Sequence, residues 1–100
     1  MARVWTHGVW SVKPGREDEF VERWEVMVRE ATAALAPPER PWLLRDRERP
    51  NVFVSFGPWE DVEQVHAFRS SDTFADGQAA LREVLEGFEP RTFDEVVAGG

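Results

Sequence analysis

The segment Arg3 to Lys13 (RVWTHGVWSVK) reads as a β-strand with no solvent face. Alternation sends Val4, Thr6, Gly8, Trp10 and Val12 to one side and Trp5, His7, Val9 and Ser11 to the other. Both sets carry large apolar groups. An antiparallel strand with one wet face would alternate apolar with polar residues instead. Any fold for this chain must therefore cover that strand twice.

Helices can supply one cover. Pro14-Gly15 ends the strand, and a helix is expected from Arg16 to Leu35, with Phe20, Trp24, Met27, Val28, Ala31 and Leu35 along one stripe. Glu17, Asp18 and Glu19 sit in its first turn, where the helix dipole favours negative charge. Pro37-Pro38 stops it, because proline cannot supply the next backbone donors. Two strands follow, Pro41 to Arg47 and Asn51 to Phe56, joined as an antiparallel hairpin. A helix after Trp59 would bury Val62, Val65 and Phe68. Ser71 is a good N-cap for a further helix through Leu85, with Gly87 as its C-cap. Phe88 to Val97 is the last strand, and Pro90 places it at an edge or a bulge.

The order β-α-β-β-α-β, with the second helical element broken in two, predicts an α+β ferredoxin-like sandwich on a four-stranded antiparallel sheet. One domain over residues 1–97 and a flexible tail at 98–100 are expected. Helices cover only one face of such a sheet. The simplest cover for the other is a second copy of the chain, packed sheet to sheet as a homodimer.

Composition narrows the partners. Hydrophobic residues make up 42% of the chain, enough for a packed core. A net charge of −7 disfavours nucleic acid and anionic membranes. The absence of cysteine excludes disulfides, thiol nucleophiles and thiolate metal sites. Five Trp and seven Phe stand beside no Tyr, so no phenol serves as a proton donor. No apolar run is long enough to span a bilayer and no leader pattern opens the chain, so a cytoplasmic protein is expected.

The stretch Val52 to Phe74 (VFVSFGPWEDVEQVHAFRSSDTF) ties a strand end, Trp59 and two helices into one apolar wall. Together with Val12-Lys13-Pro14-Gly15, Phe20, Trp59-Glu60, the break Phe68-Arg69-Ser70-Ser71-Asp72-Thr73-Phe74 and Phe93, it resembles the antibiotic biosynthesis monooxygenase (ABM) superfamily over residues 3–97. The resemblance implies a dimeric α+β barrel. It also implies one of several activities: oxidation of phenols or anthrones by O₂ without a cofactor, haem degradation, or turnover of small signalling molecules. Haem-degrading relatives use an Asn on the first strand and a Trp and a His around the broken helix. The matching positions here are Gly8, Phe68 and Gln78, which disfavours that activity. Anthrone-oxidising relatives draw on Tyr, Trp and Asn, and this chain has no Tyr.

Candidate site residues follow. His66 and His7 are the only imidazoles, and either could be a general base near neutral pH. Equally, His7 could be a hydrogen-bonded interface residue and His66 a residue of the helix flank. If the resemblance holds, His7 faces the barrel interior. Gly8, at mid-strand, marks either the floor of a cavity or a space filled by a neighbouring Trp. Trp24, Met27, Trp42, Phe56, Phe68 and Phe74 could line a pocket for a small hydrophobic or aromatic molecule, or simply form core. Arg45, Arg47 and Arg49 would share one face of the hairpin, to attract an anion or pair with carboxylates. No converging metal ligands are evident, and neither metal nor cofactor is expected. The leading expectation is a cofactor-independent monooxygenase acting on an aromatic or enolisable substrate. The alternatives are a non-catalytic dimeric binding or accessory protein for a hydrophobic metabolite, and a cyclase or isomerase on the same scaffold.

Overall fold

The computed structural model describes residues 3–99; Met1, Ala2 and Gly100, the last residue of the expected tail, lie outside the described residues. The chain runs β1 (Val4–Val12), α1 (Glu17–Leu35), β2 (Trp42–Arg45), β3 (Val52–Trp59), α2 (Val62–Arg69), α3 (Asp72–Arg82) and β4 (Leu85–Asp94). The four strands form one antiparallel sheet in the order β2-β3-β1-β4. This is the ferredoxin-like α+β arrangement.

The local signals account for most boundaries. Gly15, at φ 91°, turns the chain between β1 and α1 in a backbone conformation that suits glycine. Phe20, Trp24, Met27, Val28 and Ala31 are the buried residues of α1, the stripe that their spacing predicts. Asp61 caps α2 by accepting from the Gln64 N–H, and Ser71 caps α3 by accepting from the Phe74 N–H at 3.1 Å.

Several boundaries differ from expectation. β3 runs on through Gly57 and Pro58 to Trp59, paired with Thr6, Trp5 and Val4. β2 begins at Trp42 opposite Phe56, so beyond Phe56 one flank of β3 has no strand partner and tolerates a residue without an N–H. α3 stops at Arg82, and Gly87 lies within β4 opposite Ser11, not at a helix cap. There β1 competes successfully with the helix. The Lys13 N–H donates to the Val84 carbonyl at 2.9 Å, and Leu85 pairs with Val12 across a bulge. β4 therefore starts and ends earlier than predicted, leaving Val96 and Val97 exposed. Val62 is exposed as well, because the two-turn α2 makes its inward contact through Val65 and Phe68. The arginine stripe does not form. β2 ends at Arg45, and the Asp46 carboxylate folds the chain into a turn by accepting from the N–H groups of Glu48 and Arg49.

The core has two parts. One holds Trp10, Val12, Phe20, Trp24, Met27, Val28, Phe53, Leu81 and Val84; the other holds Val4, Trp59 and Val65, with Leu35 and Phe68 against it. Each fully buried side chain of this size contributes about 1.5–3 kcal/mol. The opposite face of the sheet carries Trp5, His7, Phe56, Trp42, Leu44 and Phe93 with no helix over it. Trp42 is 44%, Leu44 51% and Phe93 48% exposed.

Candidate functional site

The gap between the two core clusters is a cavity of about 70 Å³, bordered by members of both. By the same measure a single water needs about 10–15 Å³, so there is room for several waters or for a flat ring in their place. The sheet leaves this space open because its floor is made of small residues in register. Thr6 lies opposite Gly57, and Gly8 lies between Ser55 and Pro90. Large residues flank the floor along the same strand faces: Val4 and Trp10 on β1, Phe53 and Trp59 on β3.

The glycines of this floor are constrained by their neighbours. A Cβ at Gly57 would lie 2.7 Å from the Pro41 Cβ, because the loop before β2 passes directly over it. A Cβ at Gly8 would lie 2.8 Å from a Phe88 ring carbon and 3.1 Å from both the Ser55 hydroxyl and the Trp10 indole nitrogen. Gly8 thus borders the cavity, while the volume of its missing side chain is already filled.

Aromatic rings make the walls. Trp24 and Met27 descend from α1, and Trp59, Phe68 and Phe74 form a continuous side. Trp59 stacks on Phe68 at 5.1 Å, and Phe74 meets Phe68 edge-on at 4.9 Å. Ser71 positions Phe74 through its cap, and the break between α2 and α3 brings both rings to one wall.

The polar groups bordering the cavity are few. The Trp10 indole N–H donates to the Ser55 hydroxyl at 2.8 Å, and the Trp59 N–H donates to the Thr6 hydroxyl at 2.9 Å. Both hydroxyls serve as acceptors and keep a proton to donate. Gln78, on α3, presents a buried side-chain Nε2 with no hydrogen-bond partner among the described residues. Arg69, at the end of α2, donates to the Thr92 hydroxyl at 2.6 Å and the Arg91 carbonyl at 3.2 Å, and meets no carboxylate among the described residues. Burial lowers its pKa from the ordinary value, as desolvation without a counter-ion must. Glu39 also borders the cavity, but its carboxylate is held by Arg3 at 2.8 Å.

The expected site residues separate into two groups. Gly8, Trp24, Met27, Phe68 and Phe74 meet at the cavity. Phe56 and His7 border it from the sheet, yet alternation sends their rings to the opposite face. There Phe56 packs against Trp5 and Trp42, and His7 meets Phe93 edge-on at 5.5 Å. The His7 Nδ1 is buried without a hydrogen-bond partner among the described residues. Trp42 does not line the cavity; it borders a separate open groove beside α1. His66 is exposed, one residue past the inward Val65, and lies outside the lining. Ser55, Gly57, Arg69 and the cavity role of Gln78 were not anticipated. The alternation Phe53-Ser55-Gly57-Trp59, small residues between large ones as on β1, was the available signal.

Among the described residues no cluster of three metal-ligating side chains occurs, and no helix is long and apolar enough to cross a membrane. No curated protein shows significant sequence similarity to the chain. Solved structures do share its fold. A Shewanella oneidensis protein matches with a TM-score of 0.84 and 16% identity, covering 97% of this chain and 94% of its own. A conserved Methanosarcina mazei protein matches at 0.81 and 19% identity, covering 95% and 94%. SnoaB, a cofactor-independent oxygenase from Streptomyces nogalater, matches at 0.79 and 23% identity, covering 96% and 95%. The family profile described as antibiotic biosynthesis monooxygenase matches residues 4–80. The chain belongs to the antibiotic biosynthesis monooxygenase (ABM) family.

Proposed function

We propose that this chain is a cofactor-independent monooxygenase that oxidises an aromatic, enolisable substrate in the cavity between its two core clusters. The carrying observation is that cavity: an aromatic-walled space over a floor of small residues, in a chain of this family. The likeness to SnoaB supports the reaction class. An activated CH₂ of the substrate loses a proton. The resulting carbanion or enolate bonds to O₂, and the peroxide collapses to a carbonyl with loss of water. One oxygen atom stays in the product and the other leaves as water. The protein's part is to hold the ring, exclude bulk water and stabilise the anion.

Neither imidazole reaches this space, His66 being exposed and His7 turned to the other face. The substrate must therefore be acidic enough to ionise against the cavity's donors, its proton passing to water. The working unit is a homodimer joined through the uncovered sheet face, where Trp42, Leu44 and Phe93 lie half exposed.

The test is O₂ uptake with an anthrone, whose CH₂ has the required acidity. One O₂ consumed per carbonyl formed is expected; uptake no faster than in protein-free buffer rejects the reading. A second reading, a binding protein for a hydrophobic metabolite, is favoured by the lack of an imidazole in the cavity. Thermal stabilisation by the anthrone, recovered unchanged in air, would select it.

A further inference from the structure

We propose that the substrate is a flat aromatic molecule bearing one anionic oxygen group, and that Arg69 and the Gln78 amide bind that group. This rests on reading the cavity as the ligand site. Seven arginines make no ion pair among the described residues, and six of them are exposed: Arg29, Arg40, Arg45, Arg47, Arg82 and Arg91. Of the seven, Arg69 alone is half-buried, at the cavity, with only a hydroxyl and a carbonyl on its fork among the described residues. A guanidinium has five N–H donors in a geometry that suits a carboxylate or enolate. A chain with 19 acidic residues could readily have supplied a partner, and none reaches Arg69 among the described residues.

The other polar groups point to the same ligand chemistry. The Gln78 Nε2 is a buried donor with no partner among the described residues. Leaving such a group unsatisfied costs free energy that a ligand oxygen would recover. Ser55 and Thr6 already accept indole protons, so what they can offer is their own O–H. The one bordering carboxylate, Glu39, is committed to Arg3. Thr32 also borders the cavity, and its hydroxyl, like the Gln78 amide, can both donate and accept. The Arg69 guanidinium can only donate, so the balance favours donors, a lining that suits an oxyanion. The net charge of −7 opposes approach from afar, but salt screens that field beyond about 8–10 Å, leaving the local guanidinium to decide.

The experiment is tryptophan-fluorescence titration with 1-naphthoate and with its neutral counterpart 1-naphthylmethanol, since Trp24 and Trp59 border the cavity. The wild type should bind naphthoate at least about tenfold tighter, the scale of a charge-assisted hydrogen bond. Arg69→Met should abolish that preference and leave the alcohol's affinity unchanged, while Arg69→Lys restores part of it. Gln78→Leu should weaken naphthoate binding and spare the alcohol. Equal affinities in the wild type, a preference that survives Arg69→Met, or failure of both probes to bind would each overturn the proposal. The outcome is separable from the oxidation test. A protein that prefers naphthoate yet consumes no O₂ with an anthrone keeps this site and loses the oxygenase reading; the converse result reverses the two.

Discussion

Gly77 lets α3 approach Met27 of α1 more closely than any side chain at that position would permit. A Cβ at Gly77 would lie 2.9 Å from the Met27 Cβ and 2.5 Å from its sulfur. Met27 is 5% exposed, so it can move only into the cavity it borders. Gly77→Ala gains helix propensity of up to about 1 kcal/mol. It also overpacks the contact, which costs about 1–3 kcal/mol. The expected net effect is destabilisation by urea denaturation. In a Met27→Ala background the Cγ and sulfur contacts are gone while the 2.9 Å approach to the Cβ stays, so the same substitution should destabilise less; an equal loss in both backgrounds would reject this account.

The Trp10–Ser55 hydrogen bond crosses from β1 to β3 under the first core cluster. Ser55→Ala orphans a buried indole N–H, an expected loss of about 1–3 kcal/mol. In a Trp10→Phe background no donor remains, and the same change should be nearly neutral. Equal losses in both backgrounds would mean that the bond contributes little.

Asp46 carries a pH signature. Hydrogen bonds from the N–H groups of Glu48 and Arg49 hold its carboxyl below the ordinary value of 3.8. A depressed folded-state pKa contributes stability that is fully present above the unfolded value and lost as pH falls through the folded one. Asp46→Ala should therefore lower the urea midpoint at neutral pH. The gap to wild type should begin to close below about pH 4, where unfolded aspartates take up protons, and vanish in stronger acid. A gap that is constant with pH would assign the loss to something other than the ionised carboxylate.

The uncovered sheet face bears on assembly. Leu44, at 51% exposure, faces away from the helices beside Trp42 and Phe56. Sedimentation of the wild type at micromolar concentration should give a dimer. Leu44→Glu should shift it towards monomer, with helix content by circular dichroism unchanged. A monomeric wild type would refute the sheet-to-sheet arrangement.

Much of the fold was legible because its signals are local. The two apolar faces of β1, the stripe of α1, Pro14-Gly15 and the Ser71 cap each act within a few residues of their own position. Boundaries went astray where a distant strand intervened. Pairing with β1 drew Leu85 and Gly87 out of a helix end and into β4, and carried β3 through Gly57-Pro58. The site was legible in part. The Phe68–Phe74 wall and Gly8 could be picked out, and alternation already set His7 on the face opposite Gly8, but Trp42, Phe56 and His66 were grouped with the wall by residue type alone. Face assignment removes Trp42 and His66 from the lining and turns the rings of Phe56 and His7 away.

The sequence by itself determined a strand needing two covers, an amphipathic helix for one of them, the β-α-β-β-α-β order and a family resemblance. Period and capping are properties of neighbouring residues, so one chain suffices to read them. Tertiary structure alone decided that Thr6 and Gly8 lie beside Gly57, Ser55 and Pro90, opening a floor between two clusters. It also decided that Arg69 and Gln78 border that space with no carboxylate paired to either among the described residues. Register and the absence of a partner are relations between residues far apart in the chain, and they exist only once the strands have paired and the helices have packed.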